Sequence, residues 1–239
     1  FPAQQETERY LNFVADKLDL RKDFRFSTRV TSAEWDEAAQ RWVIRTDRGD
    51  RVTARFLVSC TGLLSAPMVP AFPGHEAFRG TIAHTARYPR EGIDLAGKRV
   101  AVVGTGATGI QVIQTIAGQV AELKVFQRTA QYAVPMRNVR YDDAARAAWR
   151  AKYPELTQRV HHTFAGFDYD FDRGSWYDLT PAQRLTALEE LWADGSLSFW
   201  VGSFPEVFVD EQVNNEVSEF VRAKIRARIR DPNVAELLT

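Results

Sequence analysis

A strand-like run that ends in three glycines at fixed spacing constrains this chain more than any other feature in it. Residues 98–103 close on Val100-Ala-Val-Val103, the composition of a buried parallel strand, and Gly104-Thr-Gly106-Ala-Thr-Gly109 follows at once. The apolar period then changes. Ile110, Ile113, Ile116, Ala117 and Val120 recur at three- and four-residue steps, so the spacing predicts a helix that starts at the glycine turn and lays one face on a sheet. Residues 123–126 read as the next strand. Strand, glycine turn, helix and strand together make a dinucleotide-binding unit. In it Gly104 permits the turn, Gly106 lets a pyrophosphate approach the backbone, and Gly109 lets helix and strand pack closely. The free N–H groups and dipole at the start of the helix favour an anion there, with Thr105, Ala107, Thr108 and Gln111 as the remaining expected contacts. A glycine loop without a ligand is the competing reading.

Which dinucleotide such a unit takes is set about twenty residues after the glycines, where NAD sites carry an acid for the ribose 2'-hydroxyl. Here the strand runs into Phe126-Gln-Arg-Thr129, with no acid. Arg128 offers a guanidinium fork and Thr129 a hydroxyl, which suit a 2'-phosphate, so NADP(H) is expected. The alternative is an exposed arginine that happens to end a strand.

Upstream, Phe78, Gly80, His84, Tyr88 and Pro89 spell F-x-G-x-x-x-H-x-x-x-(aromatic)-P. This spacing, just ahead of an NADP-type glycine loop, resembles the fingerprint of the Baeyer–Villiger monooxygenases, a group within the flavin monooxygenases that carry two dinucleotide domains. Tyr88 stands where that family usually has Trp. Phe26-Ser-Thr-Arg-Val30, Phe56-Leu-Val-Ser-Cys-Thr-Gly62, Phe126-Gln-Arg-Thr-Ala130 and Ile229-Arg-Asp-Pro-Asn-Val-Ala-Glu236 are also similar to stretches of the family, in family order.

The resemblance implies an α/β fold. Residues 1–63 would be the later part of an FAD-binding Rossmann-like domain, and residues 64–239 an NADP-binding Rossmann-like domain with a linker at 64–90 and a helical insertion from about 141. It implies FAD and NADP(H) as cofactors, with NADPH reducing the flavin and one oxygen atom of O2 inserted beside a ketone carbonyl to give an ester or lactone. Val30, Thr61 and Gly62 would meet FAD. The fingerprint would lie in a hinge, so His84, a proton-transfer group by type, is expected to make a structural hydrogen bond rather than to act as acid or base. The first glycine loop and the catalytic arginine of the family would fall outside these residues. The chain therefore reads as an internal piece of a longer, cytoplasmic enzyme with no catalytic residue of its own. An N- or S-oxidising relative of the same plan and a stand-alone NADP-binding module are the other readings.

Composition limits the partners. The 31 Lys and Arg balance the 31 Asp and Glu, which gives no electrostatic case for nucleic acid. No apolar run approaches the ~20 residues that span a bilayer. The single cysteine, Cys60, excludes an internal disulfide and the redox pair of the disulfide reductases; in an apolar strand it reads as a small core residue.

The first residues read as a helix at 6–17, a strand at 24–30 and a meander over 34–35, 42–46 and 51–60, with turn residues Asp47, Gly49 and Asp50. From residue 141 the texture becomes helical. Helices are expected at 142–153, after Thr180-Pro181 up to Gly195, and at 211–230. The last carries a Val217, Val221, Ile225, Ile229 stripe beside Arg222, Lys224, Arg226, Arg228 and Arg230. It suits either a core-facing helix or a membrane or acidic partner. Phe164, Phe167, Tyr169, Phe171, Trp176 and Tyr177 suit either a pocket wall or ordinary packing. His161 and His162 near Asp168, Asp170 and Asp172 lack ligand spacing, so no metal is expected.

Overall fold

The computed structural model describes residues 2–62 and 64–239. The chain divides into two units, residues 1–91 and 92–239. The expected domain boundary at residue 63 lies outside the described residues.

The first unit opens with helix α1 (Gln4–Lys17), followed by three antiparallel strands, β1 (Val30–Asp36), β2 (Arg41–Thr46) and β3 (Arg51–Ala54), in the order β1-β2-β3. Gln40 at φ 50° and Gly49 at φ 82° turn the two hairpins, and the Asp47 carboxylate accepts the Arg29 N–H at 2.9 Å. Trp35 faces Trp42 directly across β1 and β2, edge to face at 5.6 Å between ring centroids.

Three sequence expectations fail in this unit, for one reason. The expected strand at 24–30 begins only at Val30, after a 3-10 turn at Arg21–Asp23, and the strand expected to reach residue 60 stops at Ala54. Cys60 is exposed rather than in a core. A strand forms only where a neighbour takes its N–H and C=O groups. Among the described residues no strand pairs with residues 24–28 or 56–60, and Phe56 and Val58 stay about four-fifths exposed, at 79% and 80%.

In the second unit β4 (Arg99–Val103) and β5 (Glu122–Phe126) run parallel, with Arg99 opposite Glu122 and Val103 opposite Phe126. Helix α2 (Ala107–Ile116) is the crossover, and Ile116 is its buried anchor. The helix ends at Ile116, one turn short of the full apolar stripe; Gln119 and Val120 donate back to its last carbonyl and close the turn.

The largest core lies in the helices that follow: α3 (Asp143–Val160), α4 (Pro181–Asp194), α5 (Ser198–Val201), α6 (Glu211–Arg228) and α7 (Pro232–Leu237). Leu188 and Leu191 of α4, Phe199 of α5 and Val213, Val217 and Val221 of α6 enclose Trp176 and Phe204. Burying each of these apolar side chains stabilises by roughly 1.5–3 kcal/mol. Trp176 meets Phe204 edge to face at 5.0 Å, with the Arg184 guanidinium 4.9 Å from its ring, so for Trp176 the packing reading holds. Phe164, Phe171 and Phe208 instead make a ring cluster with Phe164 and Phe208 largely exposed.

Local signals set the helix ends. Thr180 and Gln183 form a reciprocal capping box at the start of α4, Pro181 occupies its first turn, and Gly195 ends it at φ 65°. Helix α3 continues through Pro154, past the expected end at residue 153, despite the lost N–H; Arg159 in its last turn donates to the Asp168 carbonyl at 2.5 Å and pairs with Asp172. Three basic residues of α6 are answered within the chain. Lys224 reaches Glu189 of α4 at 2.5 Å, Arg226 reaches Glu236 of α7 at 3.3 Å, and Arg222 pairs with Glu219. The core-facing reading of α6 is the one observed. Helices α5 and α7 are too short to leave a periodic signal in the sequence.

Two carboxylates fasten the entry to α4 onto the entry to α6. Ser175 donates to Glu206 at 2.5 Å and Tyr177 to Asp210 at 2.5 Å. Burial alone raises the Glu206 pKa, but the Ser175 hydroxyl and the N–H groups of Glu206 and Trp176 outweigh it, leaving the carboxyl below its ordinary range; the Tyr177 hydroxyl, with the Val213 N–H, does the same for Asp210. A depressed folded pKa contributes stability above the ordinary carboxylate range that is lost as pH falls through the folded value. Acid should therefore loosen this helical core, and Glu206→Gln should flatten the acid limb when tryptophan fluorescence is followed against pH. An unchanged acid midpoint in the variant excludes the carboxylate as the cause.

Candidate functional site

The carboxyl edge of the parallel pair gathers the expected nucleotide contacts. The N–H of Gly104 donates to the Phe126 carbonyl at 2.8 Å, so the glycine turn after β4 lies against the segment after β5 that carries Arg128 and Thr129. Gly104 has φ +102°, a backbone that side chains with a Cβ rarely adopt. A Cβ built on Gly109 falls 2.3 Å from the Gly104 carbonyl oxygen, so a methyl group there collides with rigid backbone. Gly106 differs from both. Its φ is an ordinary −66°, and a Cβ built on it meets nothing within 4 Å. Nothing in the protein requires a glycine at this position, and the open space beside it lies at the N-cap of α2.

That helix start has no side-chain cap, so the first-turn N–H groups depend on an external acceptor. Thr105 is buried at the turn, whereas Ala107, Thr108 and Gln111 are exposed around the helix start. Arg128 and Thr129 are exposed and have no hydrogen bond or ion pair with another described residue. An uncapped helix end, an open cradle and an unengaged guanidinium on neighbouring loops suit a phosphorylated dinucleotide.

The fingerprint lies in the first unit. The Phe78 ring folds over Gly80, where a Cβ would come 2.5 Å from the ring edge, which accounts for the F-x-G spacing. His84 is half-buried, and its Nδ1 accepts the Ala86 N–H at 3.2 Å, capping a 3-10 turn at Thr85–Arg87. Accepting at Nδ1 places the proton of the neutral ring on Nε2. Tyr88 ends that turn and is exposed, with Pro89 half-buried behind it. Of the residues expected to meet FAD, Val30 opens β1, while Thr61 and Gly62, the latter at φ +76°, lie in irregular chain; no hydrogen bond joins Val30 to either. Among the described residues no group of three His, Cys, Asp or Glu is placed to hold a metal ion, and no helix is long and apolar enough to cross a membrane.

The profile of the flavin-binding monooxygenase-like proteins matches residues 1–140. The chain belongs to the flavin-binding monooxygenase-like family. Among relatives of this flavin-binding monooxygenase-like chain, the acetone monooxygenase (methyl acetate-forming) of Gordonia sp. (strain TY-5) is 55% identical over 238 residues, covering 100% of the chain and 44% of that protein. The cyclopentanone 1,2-monooxygenase of Comamonas sp. (strain NCIMB 9872) is 40% identical over 238 residues, covering 100% and 43%. Among solved structures, an oxidized steroid monooxygenase bound to NADP matches with a TM-score of 0.93 at 46% identity, over 100% of this chain and 45% of the other. OTEMO in complex with FAD and NADP matches at 0.92 and 38% identity, over 100% and 46%. The chain thus spans less than half the length of these relatives.

One contact near the site is absent from the sequence reading. Tyr132, and Arg222 of the basic face of α6, lie ninety positions apart and meet by hydrogen bond at 2.7 Å; no local pattern foretells such a pair.

The contrast between two glycines is testable. Gly109→Ala should lower stability by about 1–3 kcal/mol through overpacking. Gly106→Ser should leave stability unchanged, because serine caps a helix well, yet fill the cradle and suppress NADPH binding. Thermal unfolding beside calorimetric titration of both variants checks this, and tight NADPH binding by Gly106→Ser would falsify the assigned cradle.

Proposed function

We propose that this chain supplies the NADP(H)-binding portion, and part of the FAD-binding portion, of an FAD- and NADPH-dependent Baeyer–Villiger monooxygenase that converts a small ketone to an ester or lactone. The observation that carries the reading is the cradle at Gly106, open at an uncapped helix start and adjoined by the loop of Arg128. Its fingerprint and the ketone monooxygenases among its relatives support the reaction type.

Within this reading the first-turn N–H groups of α2 hold the diphosphate. Arg128 takes the 2'-phosphate through its fork, assisted by the Thr129 hydroxyl, while Thr105, Ala107, Thr108 and Gln111 shape the wall around Gly104, Gly106 and Gly109. Val30, Thr61 and Gly62 would meet FAD, as the family resemblance implies. When bound, the nicotinamide and flavin supply hydride transfer and O2 activation. The protein contributes orientation. The fingerprint residues Phe78, Gly80, His84, Tyr88 and Pro89 act as a conformational joint, in which the His84 cap keeps the turn before Tyr88 formed. A cytoplasmic location fits a catalyst that draws on an intracellular reductant.

One charge-assisted hydrogen bond contributes about 1.5–3 kcal/mol, so Arg128→Ala should weaken NADPH roughly ten- to a hundredfold and NADH far less. Equal weakening of both removes the assignment. A phenazine N-monooxygenase of Lysobacter antibioticus, 34% identical, shows that nitrogen oxidation occurs among the relatives, so the reaction needs its own assay. The intact protein with NADPH, O2 and acetone should yield methyl acetate; N-oxide from a paired amine, with no ester from acetone, cyclopentanone or cyclohexanone, rejects the Baeyer–Villiger reading.

A further inference from the structure

The segment after β5 is irregular from residue 127 until α3, yet it carries the guanidinium on which cofactor choice turns. Its anchors are specific and distant in sequence. The Gln127 side-chain amide, next to Arg128, donates to the Leu237 carbonyl at the end of α7, and its Oε1 is buried without a partner. Five residues on, the Tyr132 hydroxyl accepts from Arg222 Nε at 2.7 Å and donates to the Thr239 carbonyl at 3.4 Å. Arg222 Nε also reaches that carbonyl at 3.2 Å, and its guanidinium lies 5.3 Å from the Tyr132 ring centroid. Glu219 closes the set by pairing with Arg222. Residues 127 and 132 are thus pinned on either side of Arg128 to one corner of the helical layer, where α6 and α7 meet.

The Arg128 fork gains affinity for a phosphate only if its backbone is already held. A bidentate donor on a mobile loop gives up part of its contact energy in ordering that loop. We propose that Gln127, Tyr132 and Arg222 are positioning residues that preorganise Arg128 for the nucleotide 2'-phosphate, so the α6–α7 corner sets selectivity for NADP(H) over NAD(H) without touching the nucleotide. The inference rests on Arg128 as the 2'-phosphate residue. It goes further by assigning selectivity to side chains ninety and more positions away in sequence. The Arg222 guanidinium holds its proton more firmly than usual because of the Tyr132 hydroxyl first, with Glu219 adding to it, so the corner stays charged across ordinary pH.

The test is direct binding to the intact protein. Adenosine 2',5'-bisphosphate and 5'-AMP, which differ at the 2'-phosphate, are titrated calorimetrically into wild type, Gln127→Leu, Tyr132→Phe and Arg222→Ala, with Arg128→Ala as reference. Loss of one hydrogen bond in the brace should raise Kd for the bisphosphate by about three- to tenfold and leave 5'-AMP unchanged. Tyr132→Phe keeps the ring under the guanidinium and so stays informative if Arg222→Ala fails to fold. Equal weakening of both nucleotides, or none, in folded Gln127→Leu and Tyr132→Phe overturns the proposal. If Arg128→Ala itself fails to discriminate the two nucleotides, the 2'-phosphate reading falls and the brace falls with it, a result distinguishable from failure of the brace alone.

Discussion

The approach of Gly109 to the Gly104 carbonyl oxygen is the constraint from which the nucleotide end of the molecule follows. With no Cβ at residue 109, the first turn of α2 comes directly onto the turn that leaves β4, and the Gly104 N–H stays available to the Phe126 carbonyl. One contact thereby aligns helix, first strand and second strand. The helix start, the cradle at Gly106 and the loop of Arg128 are brought to one edge as a result. A side chain at residue 109 would move the helix away from the turn, and the other two would lose their common edge.

How much of this was legible beforehand depended on range. The β4, α2 and β5 unit was readable because its signals are contiguous: a β-branched run, three glycines and a change of period. The same holds for α4, where Thr180, Pro181, Gln183 and Gly195 each act within one turn of the helix end they define. Residues 24–28 and 56–60 carry equally strong strand composition and form none, since a strand is completed by a neighbour that composition does not reveal. Cys60 was misplaced for the same reason. The pairing of Arg222 with Tyr132 lay beyond any local pattern. At the site the glycines and Arg128 were legible, whereas the hydrogen bonds that fix the Arg128 loop required the fold.

The two units bury their apolar groups very differently. In the helical part of the second unit, Trp176, Phe204, Val213 and Val221 are almost wholly enclosed, and ion pairs from α6 to α4 and α7 close its outer face. In the first unit Val43 is the only buried apolar side chain among the described residues, and the meander is held mainly by its ladder and the Trp35–Trp42 contact. Enclosure on this scale makes the helical layer a firm support to which an irregular loop can be tied, and the loop of Arg128 is tied there.

The placement of the aromatic pair on the first unit has an optical consequence. Of the six tryptophans, Trp35 and Trp42 face each other on β1 and β2, and the other four, Trp149, Trp176, Trp192 and Trp200, belong to the second unit. Two indoles held edge to face at 5.6 Å are close enough for their electronic transitions to couple, so a signed doublet in circular dichroism is expected from the meander. Four of the six indoles, and so most of the expected emission, belong to the second unit. The two halves of the chain therefore carry separate spectroscopic reporters, and the melting of the meander can be followed apart from that of the helices without any added label.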